Sequence, residues 1–129
     1  MIQAKGEIKT ERWVYPAPDL DRLDWPVMQP VIQVVNRVFA ERNITAVISC
    51  GCEIFKTSLN GQIRRFIHSL RSLHYRGRAL DFSLGGVSVL DQVILQNEIQ
   101  RELDLIGLGY EVILESGKYP HLHIEYDPK

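Results

Sequence analysis

The chain has little of what would place it in several common classes. Cysteine is scarce, two in 129 residues, both in Cys50-Gly51-Cys52. That excludes a disulfide-stapled scaffold, because a bridge between residues i and i+2 would be strained. The pair invites a metal reading, with His121 and His123 completing four ligands, but structural zinc sites favour wider cysteine spacing. Reduced, partly buried thiols near the end of a strand are the expectation. An excess of one charge is also lacking: 15 Lys and Arg against 16 Asp and Glu leave a net −1. Neither nucleic acid nor an anionic membrane is therefore an expected partner. No apolar run approaches the ~18 residues of a membrane span, and the first seven residues lack the apolar core of a secretory signal. The chain is expected to be cytoplasmic as synthesised. Repeats, linkers and low-complexity tracts are missing, which leaves one domain over 1–129, large enough to bury roughly two-thirds of its unfolded surface.

Histidine is rare too, but it is concentrated. All four, His68, His74, His121 and His123, fall in or beside two segments: Ser72-Leu73-His74-Tyr75-Arg76-Gly77-Arg78-Ala79-Leu80-Asp81 and His121-Leu122-His123. A histidine, a carboxylate seven residues on and a distant third ligand are what a catalytic zinc ion needs, with its fourth position left to water. The run Ala79-Leu80-Asp81-Phe82-Ser83-Leu84 alternates in the manner of a strand with one buried face, so Asp81 shares a face with Ala79 and Ser83. His121-Leu122-His123-Ile124-Glu125-Tyr126 alternates as well, which turns both histidines to one side. If the two strands are neighbours, Asp81 and the His-x-His pair converge on one ion, and His74 enters from the loop ahead of Gly77.

A zinc hydrolase also needs a carboxylate to shuttle a proton from water to the leaving amine. Glu115 is the best candidate. It ends the apolar run from Tyr110 and opens the short loop Ser116-Gly117-Lys118-Tyr119-Pro120, so a hairpin would return the chain beside it and bring Glu115 near His121 and His123. His121 and His68 are left as oxyanion-stabilising or ligand-supporting groups. The spacing of Glu53, Glu111 and Glu125 gives no argument for a calcium site.

The first segment resembles the Ser-x-His-x-x-Gly-x-Ala-x-Asp motif of the zinc D-Ala-D-Ala carboxypeptidase superfamily. That group includes vancomycin-resistance dipeptidases, phage L-alanyl-D-glutamate endolysins and the Hedgehog N-terminal signalling domain. The Hedgehog wording is the most similar, with a histidine six residues before the first ligand (His68) and a Glu-Ser segment shortly before His-x-His (Glu115-Ser116). The resemblance covers roughly residues 44–126. It implies zinc on His74, Asp81 and His123, Glu115 as general base, and His68 and His121 as polar supports. The implied substrate is a peptidoglycan stem peptide or a D-amino-acid-containing peptide, and the alternative it implies is a non-enzymatic, Hedgehog-like zinc-binding interaction module. A wall-cutting enzyme without a signal would reach its substrate through lysis, as in a phage-type protein, or act in peptide recycling. Many bacterial members carry the catalytic acid three residues before the last ligand. Here Pro120 stands there, and the role passes to Glu115. Many also dock the substrate carboxylate on an arginine of the preceding strand, where this chain reads Ser49-Cys50-Gly51-Cys52-Glu53. Arg64, Arg65, Arg71 and Arg76 are the substitutes on offer.

The predicted fold is α+β: a small antiparallel sheet carrying the zinc site, with helices packed on its other face. Asp24-Trp25-Pro26 starts a helix, with Asp24 as cap and apolar residues at 31, 34, 35, 38 and 39 carrying it to about Asn43. A β-branched strand follows over 44–49. Residues 58–70 suit a short helix on Ile63, Phe66, Ile67 and Leu70. Ser88 caps a longer helix with Leu90, Val93, Ile94, Ile99 and Leu103 inward, ended by Gly107 or Gly109.

Overall fold

A computed structural model of the chain describes residues 2–69 and 71–128. Strands β1 (Gln3–Ala4), β2 (Ile8–Lys9) and β3 (Trp13–Tyr15) lead into helix α1 (Trp25–Glu41), then β4 (Val47–Cys50), β5 (Phe55–Ser58) and β6 (Arg64–Phe66). A 3₁₀ turn over Leu73–Arg76 precedes β7 (Ala79–Ser83), helix α2 (Val89–Ile106), β8 (Tyr110–Glu115) and β9 (His121–Tyr126). The α+β class is as expected. One sheet has the order β1-β4-β7-β9-β8 and a second the order β2-β3-β5-β6. The first is not wholly antiparallel, because β1 runs parallel to β4. A parallel pair needs a long crossover, and the stretch through β2, β3 and α1 supplies it.

Period-2 alternation sets the faces of the central strands. Leu80, Phe82, Leu84, Leu122 and Ile124 are fully buried, each contributing roughly 1.5–3 kcal/mol over an exposed position. They join one core with Met28, Val31, Val35 and Phe39 of α1 and Leu95, Ile99 and Leu103 of α2. Both helices thus pack on one face of the sheet, and Asp81, His121 and His123 point from the other. Helix α1 stops where Asn43 turns left-handed at φ 58°, with the Ile44 amide donating to the Phe39 carbonyl at 2.9 Å. Among the described residues, no helix is long and apolar enough to cross a membrane.

Three local expectations are corrected. The segment from Ser58 is a hairpin, not a helix, because Asn60-Gly61 closes a turn: Asn60 Oδ1 accepts from the Ser58 hydroxyl at 2.6 Å and from the Gln62 amide at 3.2 Å. Gly61 takes φ 74° there, and a turn of this composition between extended runs favours paired strands over a helix. Leu70, the last residue of that expected helix face, lies outside the described residues. Helix α2 starts under its Ser88 cap, the hydroxyl accepting from the Asp91 amide at 3.2 Å, but its phase is rotated. Leu90 and Val93 are exposed while Gln92 and Leu95 are buried, since the stripe that joins the core runs through Leu95, Ile99 and Leu103 at i, i+4 and i+8. Asp24 stands at the N-cap of α1 without capping it. Its carboxylate accepts from Arg78 Nε at 3.3 Å instead.

Candidate metal centre

His74 reaches the sheet from the 3₁₀ turn. The Ser72 hydroxyl caps that turn by accepting from the His74 amide at 3.2 Å, and Gly77 ends it in the left-handed region at φ 71°. Asp81 pairs directly with His123 across β7 and β9, and residues directly opposite in an antiparallel pair share a face. Three atoms converge as a result. His74 Nε2 lies 3.2 Å from His123 Nδ1 and 3.2 Å from Asp81 Oδ1, and His123 Nδ1 lies 2.9 Å from Asp81 Oδ1. A tetrahedral ion with bonds of ~2.0–2.1 Å spaces its ligand atoms roughly 3.3 Å apart. The triangle of His74, Asp81 and His123 has nearly that size.

The far nitrogen of each histidine is already engaged. His74 Nδ1 donates to the Gly51 carbonyl at 2.9 Å; a carbonyl only accepts, so the proton belongs on Nδ1 and the Nε2 lone pair faces Asp81. His123 Nε2 meets Glu125 Oε1 at 3.0 Å, which turns its Nδ1 lone pair inward by the same logic. Two lone pairs and a carboxylate oxygen packed this closely repel one another unless a cation, a proton or a metal ion, sits among them. The electrostatics follow. Burial works against the Asp81 carboxylate, but when protons occupy that gap, hydrogen bonds from His123 and His74 and their charges outweigh it and hold its pKa far below the ordinary value. Burial likewise opposes a proton on His123, and the hydrogen bond and charge of Asp81, with Glu125 behind, raise its pKa.

The remaining site residues sort by position. His121 is one-third exposed beside a cavity of about 430 Å³ that it shares with Asp81, Ser83, Lys5, Lys118 and Tyr119. Its Nε2 is 3.9 Å from Asp81 Oδ2 and its Nδ1 is 3.0 Å from the Tyr119 carbonyl. Glu115 pairs with His121 across β8 and β9, so it shares the triad's face, with its side chain exposed. His68 stacks on the His74 ring, centroids 4.0 Å apart and planes 8° from parallel; burial, then the charge of His74, lowers its pKa to about 4. Of the arginines, Arg71 and Arg76 line a cavity of about 660 Å³ with His123 and Glu125. Arg64 and Arg65 instead lie over the rings of Phe55 and Trp13, on β6.

Sequence reasoning missed Glu125 and the Gly51 carbonyl. Glu125 was open to it, since a residue two beyond His123 in a strand must share its face. The Gly51 carbonyl was not, because a backbone acceptor carries no side-chain signal. Outer partners of metal-binding histidines are worth about 10–100-fold in metal affinity. Glu125→Ala is accordingly expected to weaken metal binding by about that factor, read by competition with a chromophoric chelator; unchanged affinity would mean that Glu125 does not orient His123. Comparison with family models, with curated proteins and with solved structures finds no match for this chain.

Proposed function

We propose that the protein is a zinc-dependent peptidase that hydrolyses peptidoglycan stem peptides or other D-amino-acid-containing peptides. The observation that carries the reading is the convergence of His74 Nε2, Asp81 Oδ1 and His123 Nδ1 within 3.2 Å of one another. Two imidazoles and a carboxylate are a donor set that zinc accepts while keeping a position open. When bound there, zinc would polarise the scissile carbonyl and lower the pKa of water to about 7. Glu115 would take the proton of the attacking water and return it to the leaving amine as the C–N bond breaks. His121, at the rim of the cavity it shares with Asp81, would donate to the oxyanion. The Gly51 carbonyl and Glu125 keep the two ligand imidazoles in orientation, and His68 backs the His74 ring. Arg71 and Arg76 are the cations placed to meet a substrate carboxylate on the His123 side. The test is zinc-loaded protein incubated with a panel of stem peptides over a pH series. New amine should appear with at least one of them, and its absence from all would remove the peptidase reading.

A further inference from the structure

Beside the His74–Asp81–His123 triad lies a second set of donors that shares no residue with it. Cys50, Glu53 and His68 each offer one ligand atom, and the three atoms lie within 4.8 Å of one another. They arrive from three places on the chain. Cys50 ends β4 and pairs with Asp81 of β7, Glu53 follows in the next loop, and His68 stacks on His74. Pairing and stacking put this set directly against the first.

Two of the three members carry an unmet need. Glu53 is a carboxylate only 5% exposed, and among the described residues no cationic side chain forms an ion pair with it. Its Oε1 accepts from the amides of Asp19 at 3.0 Å and Gly51 at 2.7 Å, which fixes the group in place without neutralising it. Among the described residues His68 Nε2 is buried with no hydrogen-bond partner, an uncommon state that calls for a water or an ion. The Cys50 thiol is half-buried beside the Glu53 carboxylate. A thiolate, a carboxylate and a neutral imidazole around a divalent ion sum to zero charge, which removes the uncompensated buried anion.

We propose that Cys50, Glu53 and His68 bind a second zinc ion next to the first. Thiolate, imidazole and carboxylate are all zinc donors. Bonds of ~2.0 Å to nitrogen and oxygen and ~2.3 Å to sulfur call for donor spacings of roughly 3.3–3.7 Å, so the set closes slightly around the ion. Binding exchanges the thiol proton for the metal, Cys50 S–H becoming a zinc-bound thiolate and the proton leaving to solvent. His68 thereby becomes a ligand of the second ion, in place of the oxyanion support suggested by its position in the motif. This inference does not depend on peptidase activity.

Titration of the full-length protein with Co²⁺ alone tests it. A cobalt–thiolate bond gives a charge-transfer band in the near ultraviolet, whereas a site of nitrogen and oxygen donors gives only weak visible bands. Two equivalents are expected, with the charge-transfer band. Cys50→Ser should abolish that band and leave one equivalent, while His123→Ala should keep the band and remove the other. Wild-type protein that takes up cobalt without a charge-transfer band would overturn the proposal, and so would a band that survives Cys50→Ser. Failure of the triad instead would show as loss of the visible bands in Cys50→Ser protein, a separate readout.

Discussion

Glu115→Gln is expected to lower peptide hydrolysis by about 10²–10⁴-fold, the usual contribution of a positioned general base, with zinc content unchanged. Elimination on a single sheet face leaves Glu115 as the base. Asp81 is taken up by His74 and His123, and Glu125 by His123. Glu115 stands opposite His121 and one diagonal step from His123, a separation of ~7–8 Å that a glutamate side chain and one water can bridge. Its exposed side chain is free to meet a substrate. Glutamine keeps the shape and the hydrogen bonding but cannot take a proton, so binding should survive while turnover falls. Equal turnover in wild type and variant would move the base elsewhere. An interaction module of Hedgehog type would be indifferent to this change in partner binding, which makes the same variant discriminate between the two classes.

Gly77→Ala is expected to destabilise the fold by about 3 kcal/mol or more, a fall in Tm on the order of 10 °C. Two effects add. At φ 71° a side chain is strained, by about 1–2 kcal/mol. The new Cβ would also run into the Arg22 carbonyl oxygen and lie 2.8 Å from the Asp24 amide nitrogen, all of it backbone that the start of α1 holds in place. Two other glycines separate the effects. Among the described residues nothing crowds Gly61, at φ 74°, so Gly61→Ala should show the backbone strain alone; Gly85 there meets the Ser83 hydroxyl at 3.6 Å, so Gly85→Ala should be nearly neutral. Thermal unfolding of the three variants should rank them Gly77, Gly61, Gly85. If Gly77→Ala melts with Gly85→Ala, the turn that delivers His74 is not packed against Arg22–Asp24 as described.

The parts of this fold that were legible in the sequence are those governed by local periodicity. Alternation in 79–84 and 121–126 identified both central strands and their faces, and the Ser88 cap identified the start of α2. The hairpin of β5 and β6 was misread because Ile63, Phe66 and Ile67 suit a helical stripe, although Phe66 ends half-exposed against Phe55, ring centroids 5.0 Å apart. The Asn60-Gly61 signal was present and outweighed it. Helix α2 is apolar around much of its circumference, so its phase depends on contact with β8, which no local pattern contains. The parallel pairing of β1 with β4 and the second sheet depend on distant partners in the same way. At the site, side-chain types and spacings marked His74, Asp81 and His123, which the fold brings together. The groups that orient them come from a backbone carbonyl and from strand register, and only the second of these leaves a trace in the sequence.

Anomalous diffraction at the zinc edge is the measurement that decides whether His74, Asp81 and His123 hold a metal ion. Crystals grown with zinc should show a peak among His74 Nε2, Asp81 Oδ1 and His123 Nδ1, and His123→Ala crystals should lose it. Zinc found only elsewhere, or a peak at this position that persists without His123, would mean that these three residues do not form a metal site.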